Sequence, residues 1–277
     1  MNGLICEDQL VDHSLFLSFK LAIKNHFQIG QFHVVRSPSN LSGVKRLFIV
    51  DEHFSHHINI WKNIAFIKEV NLRKIQVIVF NFERIYSAQF PWNLDHQNAL
   101  LMFENLHQFV SDVSDAKILC KKIINKQYIS SELVFNFENE KKDRLLFLGQ
   151  CNQYYPNRAN VLADCQKLNL RLDIGISERK MSYTDFLNTL SCYKYILNPL
   201  GTGEFINLRF YETLAVGSIP IQQITPQMRN WYGELDQALI FENAAEIPRL
   251  IDKELNSASK KYFLENYFSD MNLRSLV

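Results

Sequence analysis

The stretch NPLGTGEFINLRFYETLAVGSIPI, residues 198–221, decides how this chain is read. It runs from a strand end through a glycine loop into a helix, stops at Gly217 and enters a new strand. At about 100° per residue, Phe205, Arg209, Glu212 and Val216 share one stripe of that helix. Ile206, Leu208, Phe210, Tyr211, Leu214 and Ala215 cover most of the rest. A helix that is apolar nearly all round is a buried helix. Arg209 and Glu212 must therefore meet each other or a polar ligand, because an unpartnered buried charge is strongly unfavourable. The predicted helix starts just after Gly201-Thr202-Gly203, where backbone N–H groups and the positive dipole end favour an anion such as a phosphate.

Glu204 and Glu212 enclose seven residues, and Glu212 is followed by TLAVGSIPI. This pattern resembles the donor-sugar motif of the GT-B glycosyltransferases. Arg209, three residues before the second glutamate, resembles the exostosin-like branch of those enzymes. The resemblance covers residues 144–250 and is dense only over the quoted stretch. It implies that Glu212 holds the ribose hydroxyls of a nucleotide and that Arg209 faces the pyrophosphate. Gly201, Thr202, Gly203 and Asn207 complete the implied donor-binding set. In retaining relatives the first glutamate, here Glu204, approaches the transferred sugar; in others unrelated residues take its place. The resemblance further implies a nucleotide-sugar donor, a glycan or lipid-linked acceptor, and no metal or other cofactor. A lipid-linked acceptor would bring peripheral membrane association. Read from the residues alone, Arg209 and Glu212 also suit a purely structural pair, and Gly217 to Pro220 a plain helix stop and strand start.

The chain has 277 residues, enough for two modest domains or one large one, and 21 Phe with 11 Tyr promise an ample core. Its formal net charge of +1, with dispersed Lys and Arg, argues against a nucleic-acid partner. Five scattered cysteines without a Cys-x-x-Cys fit a reduced, cytoplasmic setting. The sequence shows neither a basic-then-apolar leader nor an apolar run approaching the roughly 18 residues of a membrane span.

Along the first half, helices are expected over 14–27, 55–69 and 97–108, and strands over 32–35, 46–50 and 74–80. Residues 110–119 fit no single pattern. The polar run 136–143 reads as a domain link. The second half offers strands over 144–148, 170–174, 193–197, 220–223 and 238–241. Helices are expected over 158–168, over 182–192 with Ser182 as N-cap and Asp185 at its third position, and from 244 onward. Alternating strands and helices make this an α/β chain. With the resemblance, the expectation is two Rossmann-like domains facing a central cleft. They comprise an acceptor domain over 1–140, a nucleotide-sugar-binding domain over 141–255, and a terminal helix over 256–277 crossing back to the first. No internal repeat is visible.

Sugar transfer needs charge stabilisation on the leaving diphosphate, an acceptor hydroxyl held near the anomeric carbon and, in many cases, a base. The glycine loop and Arg209 suit the first task, since a guanidinium fork matches phosphate oxygens. Arg158 is a second candidate, or else an exposed arginine at a helix start. Ligands of such folds gather at the carboxyl ends of parallel strands, which points to Asp51 and Glu83 as candidate bases. Either also suits a loop cap. His53, His56 and His57 are too loosely spaced for a metal site. A rival reading is a non-catalytic sugar-nucleotide or glycan-binding module of the same fold. A dinucleotide oxidoreductase is disfavoured because no Gly-x-Gly-x-x-Gly follows a strand.

Overall fold

The computed structural model describes residues 1–5, 33–35, 37–51, 62–81, 92–110, 112, 114–115, 137, 139–176, 181–231 and 240–251. The chain divides into two compact units, Met1–Asn125 and Lys126–Val277. The sequence expectation set the boundary at 140. Residues 116–136, which contain the division, lie outside the described residues, as do the helices expected over 14–27 and 256–277.

The first unit holds a five-stranded parallel sheet in the order β2-β1-β3-β4-β5. Its strands are β1 (Asn2–Ile5), β2 (His33–Val34), β3 (Arg46–Asp51), β4 (Gln76–Asn81) and β5 (Leu106–Val110). Sequence reading missed β1, although it pairs with both β2 and β3. Four residues carry too little periodicity to declare a strand, and Gly3 hides the burial. A Cβ on Gly3 would stand 2.9 Å from Val35 Cγ2 and 3.1 Å from Leu47 Cδ1, so the centre of the sheet closes over a missing side chain. Helix α1 (Ile64–Leu72) buries Phe66, Ile67 and Val70 against Leu47, Ile49, Val77 and Val79.

The helix expected over 97–108 is instead α2 (Trp92–Leu100) followed by β5. The chain turns at Leu101 and Met102, and Phe103 returns to the core. Strand β5 is short, and one of its two described buried residues, Gln108, is polar while the other, Val110, closes it. Gln108 reaches back to Gln97 on α2, where the two amides exchange hydrogen bonds of 3.1 and 2.5 Å.

The second unit repeats the topology. Its parallel sheet runs β10-β9-β8-β6-β7, which is the same 2-1-3-4-5 order counted from β6. The strands are β6 (Lys142–Gly149), β7 (Leu172–Ile176), β8 (Tyr193–Asn198), β9 (Ile219–Gln223) and β10 (Ile240–Phe241). Residues 145–149 of β6 are all buried, as a strand covered on both faces requires. Leu145 and Phe147 pack with α3 (Pro156–Lys167), while Leu146 and Leu148 pack with α4 (Tyr183–Ser191). Ser182 caps α4 as expected: its Oγ accepts from Asp185 N at 3.1 Å and donates to Asp185 Oδ2 at 2.6 Å.

Helix α5 (Leu208–Ala215) joins β8 to β9, and α6 (Pro226–Trp231) and α7 (Pro248–Ile251) follow. Lys141 Nζ donates to Ser191 O at 3.0 Å, Val216 O at 3.3 Å and Ser218 Oγ at 2.9 Å. One cation thus answers the negative ends of both α4 and α5 and fixes where α5 stops. Both units are Rossmann-like α/β layers. Among the described residues, no helix is long and apolar enough to cross a membrane.

Candidate anion-binding site at the ends of β6 and β8

In a doubly wound sheet the ligand crevice opens at the carboxyl ends of the two strands where the winding reverses. In the second unit these are β6 and β8, which pair directly. The segments leaving them are 150–155 and 199–207, and the residues picked out by the sequence converge there.

The loop after β8 is longer than expected. The predicted helix began just after Gly203; α5 begins at Leu208, behind an extended Asn207 with φ −78° and ψ 169°. Residues 204–207 remain loop, with Phe205 and Ile206 both buried. The Glu204–Glu212 spacing is therefore a loop-to-helix distance rather than a helical repeat. Asn207 makes no side-chain cap to α5. Its Oδ1 instead accepts from Asn198 Nδ2 at 2.9 Å, which ties the two ends of the loop together.

The remainder of α5 behaves as a buried helix. Phe210, Tyr211, Leu214 and Ala215 are all in the core. Its two charges do meet: Arg209 Nε donates to Glu212 Oε2 at 3.2 Å. The Glu212 side chain is 3% exposed and that of Arg209 is 22% exposed. Arg209 Nη1 also donates to Leu148 O near the end of β6, and its guanidinium lies 4.1 Å from the Phe186 ring centroid. The arginine is thereby pinned on the α4 side of the β6 terminus.

Arg158 approaches the same terminus from the other face. It sits in the first turn of α3, which starts with Pro156. Its Nη1 donates to Gln150 O at 2.9 Å, and the guanidinium stacks 4.2 Å from the Tyr155 ring centroid. A Cβ on Gly201 would stand 3.1 Å from Arg158 Nη2. The glycine is what lets the guanidinium lie on the loop backbone. Two guanidiniums thus flank the β6 end beside a glycine loop and a helix N-terminus, an arrangement suited to an oxyanion.

Thr202 and Glu204 are half-buried in the loop and Gly203 is buried. Asp51 ends β3 in register with Asn81 at a carboxyl strand end, as expected of it. Its side chain, Glu83 and His53, His56 and His57 lie outside what is described. Among the described residues, no three His, Cys, Asp or Glu side chains gather as a metal site would require.

Sequence reasoning overlooked an amide cluster under the loop. Asn198 Nδ2 also donates to Gln222 Oε1, whose own Nε2 donates to Gln223 O at 2.6 Å. On the opposite face of the sheet Asn157 and Gln223 meet the loop backbone at Leu200. The available signal was an amide side chain closing a largely apolar strand: Asn198 after YKYIL in β8, Gln222 and Gln223 after IPI in β9.

No family model and no curated protein matches the chain. Among solved structures it is similar to E. coli heptosyltransferase WaaC with ADP-2-deoxy-2-fluoro heptose. That similarity is 13% identity over 96% of this chain and 99% of that one, with a TM-score of 0.33. A likeness that loose has no bearing on what the site binds.

Proposed function

We propose that the chain is a GT-B-type glycosyltransferase whose second unit binds a nucleotide-sugar donor. The observation that carries this reading is the pair of guanidiniums, Arg158 on Gly201 and Arg209 on the β6 end, at the winding-reversal point of a parallel sheet. The bond to the sugar breaks as negative charge builds on the departing diphosphate, and fixed guanidiniums with a helix N-terminus stabilise that charge. Glu212 would hold the ribose with whatever acceptor capacity its pairing to Arg209 leaves, and Asn207 and Thr202 would complete the donor contacts. Glu204, on the loop itself, would approach the transferred sugar.

The acceptor is a glycan or a lipid-linked precursor, received by the first unit. If the reaction inverts, Glu83 or Asp51, each at or beyond a carboxyl strand end, takes the acceptor proton. If it retains configuration, the donor phosphate serves and neither carboxylate is essential.

Thermal-shift titration against ADP, UDP, GDP and CDP tests the donor site. A nucleotide at about 100 times its dissociation constant adds roughly 2.7 kcal/mol of stability. No shift with any diphosphate rejects the reading. Binding without donor hydrolysis or transfer would return the chain to a non-catalytic module.

A further inference from the structure

The donor site as proposed gives no task to the amides beneath its loop. Asn157, in the first turn of α3, and Gln223, the last residue of β9, face each other across the buried side of that loop. Asn157 Nδ2 donates to Gln223 Oε1 at 2.7 Å, and Gln223 Nε2 donates back to Asn157 Oδ1 at 3.4 Å. The same two side chains take both backbone groups of Leu200: Asn157 Nδ2 donates to its carbonyl at 3.1 Å, and Gln223 Oε1 accepts its N–H at 3.0 Å. Leu200 is the residue before Gly201.

This local geometry limits what the loop can do. With both groups of Leu200 held by side chains from two different elements, the backbone cannot rotate there without breaking one buried and one part-buried hydrogen bond. Gly201, the next residue, is where Arg158 lies on the backbone. The far end of the loop is closed by Asn198 and Asn207. Amides suit this work because they donate and accept at once and add no charge beside the guanidiniums.

We infer that Asn157 and Gln223 are positioning residues for the anion-binding loop, holding Gly201–Gly203 ready for the terminal phosphate of a nucleoside diphosphate. This rests on the donor reading of the same loop. A preformed loop spares the ligand the entropy of ordering it, so breaking the clamp weakens the contacts that the loop makes and leaves those made elsewhere.

The test compares the diphosphate found by the titration with its monophosphate, by calorimetry on the full chain. In Asn157→Ser and Gln223→Leu the dissociation constant of the diphosphate rises about tenfold, while that of the monophosphate stays within about twofold. A merely structural role lowers the melting temperature and leaves that ratio unchanged. Hydrogen exchange on the parent gives a readout needing no variant: the Leu200 N–H exchanges slowly without ligand. A ratio unchanged in both variants, or a Leu200 N–H exchanging like a solvent-exposed amide, overturns the inference. Diphosphate binding by the parent with an unchanged ratio rejects the clamp alone. No diphosphate binding by the parent rejects the donor reading, and the clamp with it.

Discussion

Replacing Glu212 by glutamine removes one charge and almost no volume, which isolates the ion pair at the heart of α5. At 3.2 Å from Arg209 Nε, the Coulomb attraction in an effective dielectric of about 20 is about 5 kcal/mol before desolvation. Breaking a buried pair from one side leaves the other charge stranded, typically for about 3–5 kcal/mol. Arg209 is 22% exposed, so water softens the loss. It also keeps the Leu148 carbonyl and the Phe186 ring. The expected penalty is therefore about 2–3 kcal/mol. For a chain of this size that corresponds to about 3–5 °C of melting temperature. Circular dichroism melts of parent and Glu212→Gln measure it. The glutamine amide also replaces a carboxylate that would accept from both ribose hydroxyls. Diphosphate affinity, measured well below the melting transition, is expected to fall about tenfold as well. A melting temperature within about 1 °C of the parent refutes the charge-pair reasoning. Parent-like affinity in a destabilised but folded variant refutes the ribose role and leaves a structural pair.

Arg209→Lys keeps the charge but loses the fork and the ring stacking, so turnover should fall by a factor of about ten or more with most of the protein still folded. Unfolding of the variant, with parent-like activity in any folded remainder, would mark Arg209 as structural only. One of Asp51→Asn and Glu83→Gln, and not both, should abolish transfer while diphosphate binding persists; activity retained in both, in an acceptor assay, removes the carboxylate base and favours retention. Lys74 holds a left-handed conformation, φ 53°, at the end of α1, so Lys74→Gly should raise stability by about 1 kcal/mol in urea titrations. Burial, with Asp164 adding to it, pushes the Cys165 thiol up to about 11. The unfolded thiol ionises first, near 8.5, so stability from this group is full below that pH and drains away as pH rises through 11. Cys165→Ala should lose that alkaline slope in pH-dependent melts, and Cys165 of the parent should resist alkylation at pH 8.

Continuous apolar runs need no partner to be recognised, because a strand covered on both faces must be apolar at every position. Residues 47–50, 145–148 and 195–197 show this in their composition, and the parallel α/β class follows from it. Local chemistry was equally legible where one residue decides. Ser182 caps α4, and Gly217, at φ 74°, ends α5 with its N–H on Leu214 O and the next N–H on Thr213 O. Two helices end in the same motif without a glycine, at Asn169, a residue type that tolerates the left-handed conformation, and at Lys74, where the sequence carries no warning. The need of Arg209 and Glu212 for partners followed from burying charge on an apolar helix. Tertiary structure decided that they meet each other and that Arg158 crosses the β6 end to reach Gly201. It also decided that α5 starts at Leu208, since only the packed sheet reveals whether Phe205 and Ile206 are better buried under the loop than wound into a helix. The amide clamp was invisible for a related reason. Asn157, Leu200 and Gln223 are far apart along the chain, and each looks like an ordinary residue at the end of an element. Periodicity reports which face of an element is buried, whereas a hydrogen bond between the ends of different elements exists only once the sheet has brought those ends together.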